Sequence, residues 1–158
     1  MGAALLVSLA IIAAALVWGS AQPFESRLTT AIIAAAVLAG WLAAGIANVA
    51  RLRFLSPAAI DAGSTPDDAT AQARAILQNT LEQVVLAIPV HVGLAVTFDR
   101  SMLAIAAMTG LFSAGRALFW AGYADSAAGR AFGFALTFYP SVAGLLLILG
   151  TLLRNALV

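Results

Sequence analysis

Apolar residues fall into long uninterrupted blocks along this chain, and polar residues gather between the blocks. The blocks run from Ala3 to Gly19, Ala31 to Val49, roughly Ala75 to Phe98, Met102 to Trp120 and Phe132 to Leu153. None alternates apolar and polar residues with a period of two, which disfavours a membrane β-barrel. Four blocks are long enough to cross a bilayer as helices, which takes about 20 apolar residues each. The first block is shorter and is followed by the polar stretch Ser20-Ala21-Gln22-Pro23-Phe24-Glu25-Ser26-Arg27. A signal peptide carries a basic region ahead of its apolar core. This block has none, so a retained fifth helix is the favoured reading.

The connections set the topology. Phe98-Asp99-Arg100-Ser101 is a tight turn that makes the third and fourth blocks an antiparallel hairpin. The stretch from Ser56 to Ala73 is longer, polar and acidic, and within it Thr65-Pro66-Asp67-Asp68 reads as an N-cap, a proline at the first helical position and acids in the first turn. The next helix therefore starts outside the membrane, with Arg74, Asn79 and Glu82 at its entrance and Pro89 as a kink deeper in. Small residues at four-residue spacing, Ala36, Gly40 and Ala44, let the second block approach a neighbouring helix closely.

Composition removes the soluble alternatives. Of 158 residues 63% are apolar and 9% charged, against about 45–50% and 25% in soluble domains, and mean hydropathy is +1.00. The fold class is an all-α integral membrane protein, a four-transmembrane-helix bundle with an extra N-terminal helix. Residues 1–27 form that added segment and its linker, and residues 28–158 the main domain. There is no cysteine, so disulfides, thiolate metal sites and a cysteine nucleophile are excluded, and any thiol chemistry must use a substrate's thiol. All eight cationic residues are arginine and the net charge is +1. They are scattered among membrane segments, unlike the basic stripe of a nucleic-acid binder. A small anion is the better match, because guanidinium stays charged and grips carboxylates bidentately.

Alternating the spans places Arg51, Arg53, Arg74, Asn79, Glu82, Arg116, Tyr123, Asp125 and Arg130 at one end, and Glu25, Arg27, Asp99, Arg100 and Arg154 at the other. Five arginines against three put the richer end in the cytoplasm. Arg116 and Tyr123 are seven apart and share a helix face with Phe119 between them. Arg116 lies about two turns, roughly 10 Å, inside its span, and Glu82 lies at comparable depth on a neighbouring span. The two are expected to pair or to line a polar cavity, since either alone in lipid is costly. Simpler roles stand beside this one: Arg51, Arg53, Arg74 and Arg130 as snorkelling anchors, Asn79 and Glu82 as interhelical hydrogen-bonding groups, and Arg116 with Glu82 as a structural pair. His91, without a second histidine or a clustered carboxylate, reads as a packed core residue, and no metal site is expected. No metalloprotease, P-loop, dinucleotide-binding or nucleophile-elbow motif occurs.

The segments Arg74-Ala-Ile-Leu-Gln-Asn79-Thr-Leu-Glu82 and Arg116-Ala-Leu-Phe-Trp-Ala-Gly-Tyr123, with Arg130 seven residues on and Arg51 six residues before Pro57, resemble the MAPEG family, the membrane-associated proteins in eicosanoid and glutathione metabolism. The resemblance runs from about Ala31 to Leu153, and is nearest to the microsomal glutathione transferases. It implies a homotrimer of four-helix subunits in contact with membrane lipid. It also implies glutathione as co-substrate, held between subunits by Arg51, Arg74, Asn79, Glu82, Arg116 and Tyr123. Arg130 would face the sulfur, with Tyr123 as the second catalytic group. The implied activity is glutathione-dependent transfer or peroxide reduction on small lipophilic electrophiles; the alternatives are a non-catalytic membrane protein binding another small anionic ligand or serving a structural role, and a transporter. In a bacterium the location would be the inner membrane. Phe119 stands where leukotriene-forming members carry tyrosine, Ala75 and Leu77 replace an arginine and a histidine, and Val85 replaces a proline.

Overall fold

The computed structural model describes residues 2–55, 68–124 and 127–157. They form five helices: α1 Gly2–Trp18, α2 Phe24–Leu55, α3 Asp68–Thr97, α4 Ser101–Ala121 and α5 Ala127–Leu157. The stretches Phe24–Leu55, Asp68–Thr97, Ser101–Ala121 and Arg130–Leu157 are each long and apolar enough to cross a membrane, and α1 is a shorter apolar helix. The chain is a multi-pass membrane protein. Large apolar side chains such as Ile32, Ile33, Val85, Val96, Leu146 and Leu153 point outward, as lipid demands and water forbids. Thr30, Thr80, Thr109, Ser141 and Thr151 each return their hydroxyl to the carbonyl four residues earlier, which satisfies them without water. Pro89 sits within a continuous α3. The proposed cap Thr65-Pro66-Asp67 and Asp125 lie outside the described residues.

α2 packs on α3 and α4, α3 on α5, α4 on α5, and α1 lies against α4 and α5; α4 touches all four other helices. Toward the α3–α4 turn the core joins all five, through Ile12, Ala34, Leu94, Ile105, Met108 and Ile148. That end is also tied by polar groups. Arg27 is buried, donates from Nη1 to the Ala95 carbonyl at 2.7 Å and pairs through Nη2 with Asp99 Oδ1 at 3.1 Å. Its guanidinium therefore meets the C-terminal carbonyls of α3, where the helix dipole favours a cation. The linker after α1 is fastened to the same turn: Gln22 N–H donates to the Asp99 carbonyl at 3.0 Å, and a side chain at Gly19 would meet the Arg100 carbonyl at 2.7 Å.

α4 and α5 cross through glycine. A Cβ on Gly115 would sit 2.7 Å from the Gly133 carbonyl oxygen, and one on Gly133 would sit 2.5 Å from the Phe119 backbone nitrogen. Backbone cannot yield as a side chain can, so only small residues allow this approach. Gly133→Ala should therefore lower the thermal unfolding midpoint in detergent, at about 1–3 kcal/mol of overpacking strain. Gly110→Ala, where nothing lies within 4 Å of the added carbon, should leave the midpoint unchanged or raise it slightly.

Candidate functional site

The glycine crossing sets α4 and α5 close enough for a short side chain to bridge them, and it does so beside Arg116. This residue has no exposed surface. Its Nη1 donates to Asn79 Oδ1 on α3 at 2.8 Å, and its Nη2 donates to Thr137 Oγ1 on α5 at 2.9 Å. Thr137 passes its own proton to the Phe134 carbonyl at 2.8 Å, which frees a lone pair for the guanidinium. The carbon of the guanidinium also lies 4.6 Å from the centre of the Phe119 ring and 5.8 Å from that of Phe112, cation–π contacts that grow in a dry setting. Among the described residues no carboxylate pairs with it. Its two Nη groups are met by neutral oxygens, whereas its Nε is buried with no hydrogen-bond partner among the described residues.

The expected pairing of Arg116 with Glu82 is therefore corrected. Glu82 is exposed and accepts a hydrogen bond from Gln78 Nε2 at 3.0 Å. The two residues match in depth but not in rotation. Glu82 follows Asn79 by three residues, about 300° around the helix, which swings it out of the three-helix junction. It lines an apolar cleft of about 330 Å³ between α3 and α5, with Pro89, Leu145 and Ile148.

Above Arg116 an open groove of about 360 Å³ lies among α3, α4 and α5, lined by Asn79, Phe119, Tyr123, Arg130, Ala75 and Phe134. Tyr123 follows the last turn of α4, which is closed by Gly122 N–H donating to the Leu118 carbonyl at 2.9 Å. Its ring meets Phe119 edge-on at 5.4 Å, and the Arg130 guanidinium lies over its other side at 4.9 Å from the ring centre. Two rings, Phe119 and Tyr123, thus lie in series between two cations, Arg116 and Arg130. Phe119 serves this stack as an apolar ring, with no hydroxyl required. Arg130 is half-buried and has no hydrogen-bonding partner among the described residues. With Oδ1 of Asn79 committed to Arg116, its NH₂ is left as a donor at the groove. Among the described residues the groove therefore offers a guanidinium, an amide N–H and a phenol O–H, and no carboxylate.

Of the expected site residues, Asn79, Arg116, Tyr123 and Arg130 come together. Arg51 is exposed at the end of α2, donating to Asn48 Oδ1 at 3.2 Å. Arg74 is exposed too and lines a different groove, between α2 and α3. His91 is buried in the core with Nδ1 2.6 Å from the Ala87 carbonyl oxygen, and no cluster able to hold a metal occurs among the described residues. Thr137 and the glycine crossing escaped the sequence reading. Thr137, a hydroxyl four residues after Gly133 within a mainly apolar block, was the available signal.

Double-mutant cycles on thermal stability separate the observed partners from the expected one. Arg116→Met combined with Asn79→Leu should show a coupling of about 1–3 kcal/mol, the range for residues in one hydrogen-bonded network. Arg116→Met combined with Glu82→Gln should be additive to within about 0.5 kcal/mol.

Comparison with known proteins agrees with the motifs. The sequence model of the MAPEG family matches residues 3–150, reaching back over α1 as well as the four spanning helices. No curated protein and no solved structure matches the chain. A match over nearly the whole length, on a bundle of four membrane-length helices, places this chain in the MAPEG family.

Proposed function

We propose that the groove binds glutathione and that the protein is a membrane-bound glutathione-dependent transferase or peroxidase acting on lipophilic electrophiles. The observation that carries this reading is the groove's polarity. Among the described residues every polar group lining it can donate a hydrogen bond, one is a guanidinium with no hydrogen-bond or ion-pair partner, and Arg116, with no carboxylate paired to it, lies one ring behind. Such a site favours an anion strongly in the low dielectric of a bilayer. Glutathione supplies two carboxylates and a thiol that is reactive only as its thiolate.

In this reading Arg130 faces the sulfur. A fixed cation beside a thiol lowers its pKa, and the same cation keeps the thiolate oriented without reorganising. Tyr123 donates a hydrogen bond to the sulfur or to a nearby carboxylate, and the Asn79 NH₂ holds a second oxygen. Arg116 is a positioning residue, since it touches the ligand only through Asn79 and the field it exerts. The electrophile arrives through the lipid, the thiolate sulfur forms a bond to its electrophilic carbon, and the displaced group leaves with the bonding pair. The tripeptide's remaining carboxylate and ammonium fall to Arg51 and Glu82 of chains meeting around the groove in a homotrimer. The stripe Ala36, Gly40 and Ala44 supports close assembly: all three are exposed, and nothing lies within 4 Å of a carbon added at Gly40.

Two measurements test the proposal. With glutathione bound at neutral pH, the ultraviolet absorbance of the thiolate should be present in the wild type. It should fall at least about tenfold in Arg130→Leu, equivalent to about 1.4 kcal/mol in the ionisation equilibrium. In Tyr123→Phe it should persist with weaker binding. A signal that survives in Arg130→Leu and vanishes in Tyr123→Phe would reverse the two roles, and wild type with no thiolate signal would remove the enzyme reading. Native mass spectrometry in detergent should give a trimer; a monomer as the sole species would remove the shared site.

A further inference from the structure

The groove between α2 and α3 has a chemistry of its own. It encloses about 370 Å³ and is lined by Ile46, Val49, Ala50, Arg53, Arg74 and Leu77, with Gln78 at its side. The two arginines come from different helices, both are exposed, and neither has a hydrogen-bond or ion-pair partner among the described residues. Its polarity is graded along the helix axes. On α2 the apolar residues Ile46, Val49 and Ala50 precede Arg53, which lies about 10 Å beyond Ile46 at 1.5 Å per residue. On α3, running the opposite way, Arg74 is likewise nearer the helix end than Leu77. The apolar floor thus points into the bilayer and both guanidiniums stand at its edge.

We infer that this groove is a binding site for an anionic phospholipid from the surrounding leaflet. The two guanidiniums grip the phosphate, and an acyl chain lies over Ile46, Val49, Ala50 and Leu77. Guanidinium forks match phosphate oxygens bidentately, and basic pockets between membrane helices are suited to anionic headgroups. A zwitterionic lipid carries a cation that these arginines would repel. Free phosphate has nothing to place on the apolar floor. The site stands apart from the groove of Asn79, Tyr123 and Arg130, because Arg74 and Ala75, adjacent in sequence, diverge by about 100° around α3 and line the two grooves separately.

The test uses the full-length protein in detergent, titrated with phosphatidylglycerol and followed by native mass spectrometry. One phosphatidylglycerol per chain should be retained in preference to phosphatidylcholine. Each of Arg53→Gln and Arg74→Gln should weaken retention about fivefold, and the double variant about 25-fold, as expected for surface cations facing an anionic lipid. Arg154→Gln, at the other end of the bundle, should change nothing. The single variants suffice if the double variant fails to fold. Equal retention of phosphatidylcholine would make the bound lipid nonspecific, and unchanged retention in both single variants would place the anion elsewhere. Displacement by millimolar inorganic phosphate would make the site one for soluble phosphate. Any of these three results overturns the proposal.

Discussion

A guanidinium with no counter-ion among the described residues, buried where three membrane helices meet, is the constraint on which the rest of this bundle turns. Arg116 stays charged and cannot reach water, so only protein can meet its N–H groups, and its Nε has no hydrogen-bond partner among the described residues. Asn79 and Thr137 meet the two Nη groups from two other helices, and hydrogen bonds to a charged group contribute about 1.5–3 kcal/mol each. The bond to Thr137 is within reach because Gly115 and Gly133 let α4 and α5 touch backbone to backbone. The same contacts decide what the neighbouring groove offers. Asn79 turns its carbonyl to Arg116 and its amide hydrogens outward, and a positive charge without a carboxylate remains behind Phe119. Packing, helix register and the polarity of the site follow from one side chain.

The two ends of the bundle treat arginine differently. At the α3–α4 turn, Arg27 is held within the protein: one nitrogen on the Ala95 carbonyl, another on Asp99, its face toward Phe24 at 5.6 Å. The linker after α1 closes over the same turn. At the opposite end Arg53, Arg74 and Arg130 have no hydrogen-bond or ion-pair partner among the described residues. Cations consumed internally fasten one end of the bundle, and cations without such partners keep their charge available at the other.

The helical blocks were legible because a bilayer demands long apolar runs, and so was the alignment of Arg116, Phe119 and Tyr123, which needs only 100° per residue. Boundaries were less so. α2 begins at Phe24, ahead of the apolar block, where Arg27 finds a carbonyl on α3 and a carboxylate in the α3–α4 turn that composition cannot reveal. Depth along a helix is a matter of counting, whereas rotation about it is settled by packing. Glu82 and Asn79 are equally plausible partners for Arg116 by depth, and one turn decides between them. Arg74 and Ala75 differ by a single position and face different grooves. The identity of the family was legible in motifs; the neutral character of Arg116's anchors was not.

The four spanning helices are unequal. α4 has 21 residues, whereas α2 and α3 have 32 and 30. Trp120, near the end of α4, meets Trp41 edge-on and donates weakly to Thr80 Oγ1. α3 runs from that level back to Asp68, about 18 Å further at 1.5 Å per residue. The groove sits beside the end of the short helix and against the flank of α3, at the step between them. A step of this kind is sensitive to hydrophobic mismatch. A thicker bilayer raises the lipid surface along α2 and α3 and submerges the end of α4, while a thinner one leaves Tyr123 and Arg130 in headgroups and water. Membrane thickness thereby governs how far the groove opens to water and how far to lipid, with each ångström of mismatch costing a fraction of a kcal/mol.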